Sequence, residues 1–368
     1  MPPRNNLPDS LYVHVPFCAH ICPYCDFPKV LYKESWAKSY IQALQDEAKA
    51  RSAGLFSTLF VGGGTPSCLK EEDFSALLSF LAGHLKPGGE FSVECNPDSL
   101  TREKAKILRE CGVNRVSLGV QSSVPKSLKT LGRRHDFAKV KEAVGFLREQ
   151  GISNINLDWM YGFPGQSEED LKQDIDAFLS LDVPHISAYS LILEQGTAYA
   201  VKGVEPLNDD IQQDYFDRIK EALRDAGYAR YEISNFAKPG FQCRHNLTYW
   251  HDEPYLALGL GAAGYLGTRR YRNTLNLSRY LNGDFAGEEE ELTEKDALEE
   301  YFLTTLRLTE GFDIHDFIDR FGLDIYQAHR GRFEELITRG LMREEHGRLM
   351  ATERGLDLLD TLLLALFE

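Results

Sequence analysis

At 368 residues the chain has room for two to three structural units of roughly 150 residues each. Its composition, 43% hydrophobic and 26% charged, is that of a folded globular protein and not of a disordered or collagen-like chain. A formal charge of −15, from 41 Lys and Arg against 56 Asp and Glu, argues against a protein that wraps nucleic acid, and no apolar run of about 18 residues is present to cross a bilayer.

Residues 1–10 read as a tail without a signal-peptide pattern, which sets the cytoplasm as the expected location. Leu11–Val15 is a first strand. The segment Cys18-Ala-His-Ile-Cys22-Pro-Tyr-Cys25 then gathers three of the seven cysteines. Three soft thiolates from one short loop suit an iron–sulfur cluster with one iron left open, or zinc with His14 or His20 as a fourth ligand. An odd cysteine count in a chain without export signals makes a disulfide framework a poor reading, and Cys68, Cys95, Cys111 and Cys243 are scattered as buried small hydrophobes usually are.

Helical spacing over Ser35–Ser52 opens an alternation that continues along the chain. Strands are predicted at Thr58–Val61, Phe91–Glu94, Arg115–Gly119, Asn154–Asp158 and His185–Ser190, followed by helices at Glu71–His84, Arg102–Cys111, Phe137–Gln150, Glu168–Leu181 and Asp209–Ala226. Such repetition implies a parallel sheet, because parallel strands need crossovers. An open doubly wound sheet and a barrel both fit, and six units suit an α/β fold with an incomplete (β/α)6 barrel over 11–228. Ligands gather at the carboxyl ends of such strands. Cys18, the turn Gly62-Gly63-Gly64-Thr65-Pro66, Glu94, Gln121 and Asp158 all fall there. Glycines without a Cβ let a ligand approach the backbone, and polar groups facing a barrel mouth need partners.

Residues 229–291 form an aromatic and Gly-rich connection carrying Cys243-Arg-His245-Asn246-Leu-Thr-Tyr249-Trp250. Its Gly259-Leu-Gly261-Ala-Ala-Gly264 matches a dinucleotide fingerprint literally, but it does not open a strand-turn-helix unit, so NAD binding is not expected. Residues 292–368 read as a mostly helical, winged-helix-like domain: helices at Lys295–Arg307, Ile314–Phe321 and Tyr326–Arg339, a hairpin over Leu341–Ala351, and a last helix Glu353–Leu366. The acidic balance favours packing or partner contact over DNA.

Tyr12-Val-His14-Val-Pro16-Phe17-Cys18-x3-Cys22-x2-Cys25 resembles the cluster loop of radical S-adenosylmethionine (SAM) proteins and is similar to the oxygen-independent coproporphyrinogen oxidase group, a resemblance that extends over nearly the whole chain. It implies a 4Fe-4S cluster on Cys18, Cys22 and Cys25, SAM chelated at the open iron, and reductive cleavage of the sulfonium to a 5′-deoxyadenosyl radical. It further implies SAM contacts at Tyr12, Tyr24, Gly63, Gly64, Thr65, Glu94, Gln121, Arg133, Asp158 and the apolar Ile192.

Two features separate the branches of that group. The oxidases carry a Cys-x-Cys ending, whereas Cys25 is followed here by Asp26-Phe27, and their longer leader is short here. His245-Asn246-x-x-Tyr249-Trp250 resembles the signature of the HemW-type haem chaperones. That resemblance implies His245 as an iron ligand, with Asn246, Tyr249 and Trp250 shaping a haem pocket. It implies haem as cargo, haem-accepting respiratory proteins and an electron donor as partners, a homodimer, contact with the membrane only through partners, and no nucleic acid. The expected function is therefore haem binding and transfer. Oxidative decarboxylation of coproporphyrinogen III is the first alternative, and a non-redox metal-bearing binding module is the second.

Overall fold

The computed structural model describes residues 7–328 and 331–367, so most of the expected tail, and positions 329–330 of the helix expected over Tyr326–Arg339, lie outside the described residues. Six strands appear where the alternation placed them: β1 (Ser10–Val15), β2 (Phe56–Gly63), β3 (Leu85–Cys95), β4 (Arg115–Gln121), β5 (Asn154–Tyr161) and β6 (His185–Ser190). All are parallel and neighbours in sequence are neighbours in space. The helices between and after them are α1 (Glu34–Ala50), α2 (Glu71–Ala82), α3 (Arg102–Glu110), α4 (Phe137–Glu149), α5 (Glu168–Ser180) and α6 (Asp209–Asp225). Several starts are fixed by side chains that accept from the first helical turn: Thr101, Asp136 and Asn208, and Ser167 in a reciprocal capping box with Asp170. Each such cap contributes about 1 kcal/mol.

Three short strands extend the sheet beyond the expected six: β7 (Ala229–Arg230), β8 (Asn235–Ala237) and β9 (Leu256–Leu258). The order is β9-β1-β2-β3-β4-β5-β6-β8-β7, with β9 parallel to β1 and β8 antiparallel to β6. The sheet stays open between β9 and β7. The connection after 228 thus supplies both edges of the barrel sheet, and Leu256, Leu258, Tyr271 and Tyr280 join its hydrophobic core. Gly259 lies in a turn between strands with φ of 110°, where a Cβ would meet the His14 carbonyl oxygen at 2.3 Å, and no helix follows it.

The strands alternate although they are parallel. Leu59, Val61, Val116, Leu118, Ile155, Leu157 and Ile186 are fully buried in the core, while Phe60, Arg115, Ser117, Asn156, Asp158, Ser187 and Tyr189 turn the other way, onto a central cavity. Parallel strands covered on both faces are usually near-continuous apolar runs. Here the second face lines a polar chamber instead of the aliphatic layers that fill a closed barrel.

Helix α7 (Arg244–Trp250) closes the chamber at the amino ends of the strands. Thr248 is bonded to Ser10 of β1 at 2.8 Å and His245 to Thr58 of β2 at 2.7 Å. Glu90 of β3 accepts the backbone N–H groups of Arg244 and His245, each at 3.1 Å, which satisfies donors at the start of α7.

The remaining chain forms a second core around Phe302, Phe312, Phe317, Leu336, Leu349 and Leu362. Helices Glu294–Thr305 and Ile314–Phe321 and the hairpin Met342–Glu345 with Arg348–Ala351 match expectation closely. The single helix expected over Tyr326–Arg339 is replaced by Ile325–Ala328 and Arg332–Thr338, and Leu358 separates Glu353–Asp357 from Leu359–Phe367. Asp357 ties this unit to the barrel through Lys220 at 2.8 Å and Arg230 at 3.2 Å. No described helix is long and apolar enough to cross a membrane.

Candidate functional site

The cysteine loop leaves β1 through a two-residue strand, Phe17–Cys18, that pairs with Val30–Leu31. The glycine turn after β2 is laced to the same segment, with Gly64 N–H donating to the Val15 carbonyl at 2.8 Å and Thr65 N–H to that of Phe17 at 2.7 Å. Lys29 folds the far end of the loop back by donating to the carbonyls of Cys25 (2.5 Å) and Phe27 (3.1 Å).

All three cysteines face one cavity of about 750 Å³ at the carboxyl ends of the strands. Every residue expected at the cluster or at SAM lies on its wall, from Tyr12 and Tyr24 to Ile192, which stands 71% exposed at the rim. The wall is cross-braced. Arg133 donates to Cys22 Sγ at 3.5 Å, to Asn96 Oδ1 at 2.6 Å and to the Gly119 carbonyl, and Asn96 in turn donates to Thr65 at 3.1 Å. Gln121 takes a left-handed φ of 68° at an irregularity between β4 and β5, and its Oε1 accepts from Tyr189 at 2.9 Å. Backbone of this kind on a non-glycine residue is strained and concentrates at functional sites.

Two carboxyl groups set the field of the chamber. Burial, reinforced by Asp158, pushes the Glu94 carboxyl up to about 8, although Gly63 N–H donates to it at 3.0 Å. Burial also raises Asp158, to about 6, against the hydroxyl of Ser117 at 3.1 Å and the amide of Asn156 at 2.7 Å. A cation placed between them would recover the penalty that burial imposes on their charged forms.

The haem motif divides. Asn246 and Tyr249 line the chamber, whereas His245 and Trp250 do not. His245 is fully buried, with Nδ1 bonded to Thr58 at 2.7 Å and Nε2 to the Tyr249 hydroxyl at 2.8 Å. Burial pushes its ring down to about 3. In this arrangement neither ring nitrogen is free for an iron, contrary to the expectation for His245. Trp250 faces the C-terminal unit, where the Arg307 guanidinium lies 4.7 Å from its ring centre.

The chain's own groups fit a cluster better than a single metal. Among the described residues no three His, Cys, Asp or Glu side chains converge on one metal position. His14 is spent on Tyr12 (3.0 Å) and the Pro28 carbonyl (2.7 Å), so it is no fourth zinc ligand. A four-iron cube takes each thiolate on a different iron and requires no such convergence. Burial raises the Cys18 thiol to about 11, and a bound cation reverses that tendency. His20 Nε2 and Arg133 Nε, buried beside the loop, have no partner.

Sequence reasoning did not single out Arg115, Ser117, Asn156, Ser187, Tyr189 and Asn235 on the wall. Their signal was the polar half of each strand's alternation.

The pattern of the Radical SAM superfamily matches residues 12–178, and that of the HemN C-terminal domain matches residues 292–358. The protein named Heme chaperone HemW from Lactococcus lactis is 37% identical over 95% of this chain and 95% of its own length. The Escherichia coli protein of that name is 32% identical over 97% of each. Among solved structures, coproporphyrinogen III oxidase (HemN) from Escherichia coli superposes with a TM-score of 0.86 over 98% of this chain and 90% of that one, at 22% identity.

Proposed function

The chain belongs to the haem chaperone HemW family of radical SAM proteins, and from that premise we propose that it binds haem and passes it to acceptor proteins. The observation that carries the reading is identity above 30% along nearly the full length of relatives bearing that name. The likeness to the oxidase is one of fold.

In this reading Cys18, Cys22 and Cys25 hold a 4Fe-4S cluster, which supplies an open iron for SAM and an electron. Arg133 holds the Cys22 sulfur from one side while its other nitrogens brace Asn96 and Gly119. Glu94 and Asp158 receive the positive end of SAM, Tyr12, Tyr24, Gly63, Gly64, Thr65 and Gln121 shape its bed, and Ile192 covers it at the rim. Asn246 and Tyr249 are the motif residues offered to a chamber ligand. The working protein takes electrons from a donor, meets haem-accepting respiratory proteins and pairs with a second copy in the cytoplasm.

The test is anaerobic reconstitution with iron and sulfide, followed by haem titration and a coproporphyrinogen decarboxylation assay, both with SAM. Stoichiometric haem binding without decarboxylation is expected. Decarboxylation without stable haem binding would overturn the reading in favour of the oxidase.

Glu94 gives the SAM assignment its own check. With a carboxyl that titrates near 8, the folded protein holds a proton there at pH 7 that a bound cation expels. Glu94 is therefore expected to contribute about one proton to the release on SAM binding at pH 7, seen by calorimetry in buffers of different ionisation heat. Glu94→Gln should lower the release by about one proton, leaving the proton that the SAM amino group loses on chelation, and weaken SAM about tenfold or more. The same shift makes the ligand-free fold hold a proton that the unfolded chain loses above 4.5, so raising the pH from there to about 8 lowers stability by about 1.4 kcal/mol per unit from this group.

A further inference from the structure

β4 ends on a turn that a residue with a side chain does not favour. Gln121 takes a φ of 68°, and the Ser122 N–H donates to the Val120 carbonyl at 2.9 Å, which closes a three-residue turn of the rare, strained kind centred on a positive φ. Such a turn persists only where its surroundings over-determine it. On the chamber side the Gln121 amide accepts from the Tyr189 hydroxyl at 2.9 Å. Away from the chamber the turn meets Asp174 of α5, which is fully buried and does not line the cavity. Its carboxylate accepts from the Ser122 hydroxyl at 2.9 Å, the Ser123 N–H at 2.6 Å and the Ser123 hydroxyl at 2.7 Å. The Ser122 hydroxyl in turn accepts from the Val124 N–H at 3.1 Å, so the chain leaving the turn is held as well. These donors are all neutral, and Lys126 is paired with Asp170, one turn earlier on α5. Burial, with the field of Asp170 added, raises the Asp174 carboxyl to about 6 against its own hydrogen bonds. A charge kept buried without a cation is costly, and here its bonds all go to the two residues after Gln121.

We propose that Asp174 is a positioning residue for SAM: from outside the barrel it locks the turn at Gln121, and the locked turn aims the Gln121 amide at the ligand. The inference rests on the reading that puts SAM against Gln121, and adds to it a residue that touches neither SAM nor the cluster.

Asp174→Ala removes the clamp, and Asp174→Asn, which keeps its shape and one acceptor oxygen, serves where the alanine variant does not fold. Both are measured on the full-length protein reconstituted with iron and sulfide, with iron content as the check that the cluster is intact. At wild-type iron content Asp174→Ala is expected to weaken SAM about tenfold and Asp174→Asn about threefold, because a displaced contact loses what its positioning supplied. In a Gln121→Ala background the same substitutions should change SAM affinity by less than about twofold, since nothing is left to position. A residue that only supports the fold would weaken SAM by the same factor in both backgrounds. That result, or a wild-type affinity in the Asp174 variants while Gln121→Ala weakens SAM, would overturn the proposal. Backbone amide exchange of the SAM-free protein is the independent arm, where exchange at Ser122 and Ser123 should quicken about tenfold or more in Asp174→Ala. Unchanged exchange would overturn the clamp by itself. If Gln121→Ala alone leaves SAM affinity at the wild-type value, the SAM assignment of Gln121 fails, and amide exchange still decides whether Asp174 holds the turn.

Discussion

Gly64→Ala is expected to abolish cluster assembly although it leaves every cysteine in place. A Cβ at Gly64 would sit 2.6 Å from the Phe17 carbonyl oxygen and 2.8 Å from the Pro16 carbonyl carbon. Both are backbone atoms, so no rotamer change relieves the contact. The only escape is to part the turn after β2 from the segment entering Cys18, which breaks the bonds from Gly64 to Val15 and from Thr65 to Phe17. Overpacking against fixed backbone costs on the order of 3 kcal/mol. Whatever movement relieves it is delivered one residue from Cys18. Iron and sulfide content after anaerobic reconstitution is the measurement. Gly62→Ala is the informative comparison, because the three atoms nearest its Cβ all belong to the Glu94 carboxyl group, from 2.8 Å. That variant should keep its cluster and alter SAM affinity. Gly54→Ala, with nothing within 4 Å, should change neither. A Gly64→Ala protein with full iron content would mean that the turn and the cysteine loop are mechanically independent.

What could be read in the sequence was local. The cysteine spacing is carried by one loop, and the six strand–helix units by hydrophobic periodicity and by caps such as Ser167 with Asp170 inside single segments. The polar half of the strands was equally present: Arg115, Ser117 and Gly119 alternate with Val116, Leu118 and Val120. Alternation in a strand that must be parallel already signals a lined chamber, and that step identifies Arg115. The place of α7 was not local. Its contacts join residues 187 apart for His245 with Thr58, 155 for His245 with Glu90, and 238 for Thr248 with Ser10. A histidine among aromatic residues reads the same whether it faces a ligand or plugs a barrel. Only the closing of the sheet's amino ends over that helix separates the two, and the same closure turns Trp250 away from the chamber. The three short edge strands were hidden for a related reason, since two or three residues carry no periodicity and their pairing, β9 with β1, β8 with β6 and β7 with β8, is set by the sheet they complete.

His245→Ala tests the plug directly, and its expected effect is a large loss of stability with an unchanged ligand field at haem iron. The ring stacks on Phe60 with centroids 5.2 Å apart and meets Tyr249 edge-on at 5.1 Å. Truncation leaves a void at the floor of the chamber, strips the Tyr249 hydroxyl of its buried partner and leaves Thr58 with Ser10 alone. Stranded polar groups cost about 1–3 kcal/mol and the cavity adds to that, for a total of about 3 kcal/mol or more. Denaturant unfolding of the ligand-free protein measures it. The sign of the pH dependence supplies a second reading. With its ring pushed down to about 3, His245 is neutral in the fold and takes up a proton on unfolding below 6.5, so wild type loses stability from this group as the pH falls through 6.5. Since the variant lacks that group, the difference in stability between the two proteins should shrink on acidification by about 1.4 kcal/mol per unit. Haem added to the folded variant should give the wild-type spectrum, because a ring with both nitrogens bonded inside the protein contributes nothing to iron. A shifted haem spectrum in a variant of undiminished stability would reverse the assignment. It would require α7 to release His245 from Thr58 or Tyr249 when haem arrives, and would make the floor of the barrel a moving part.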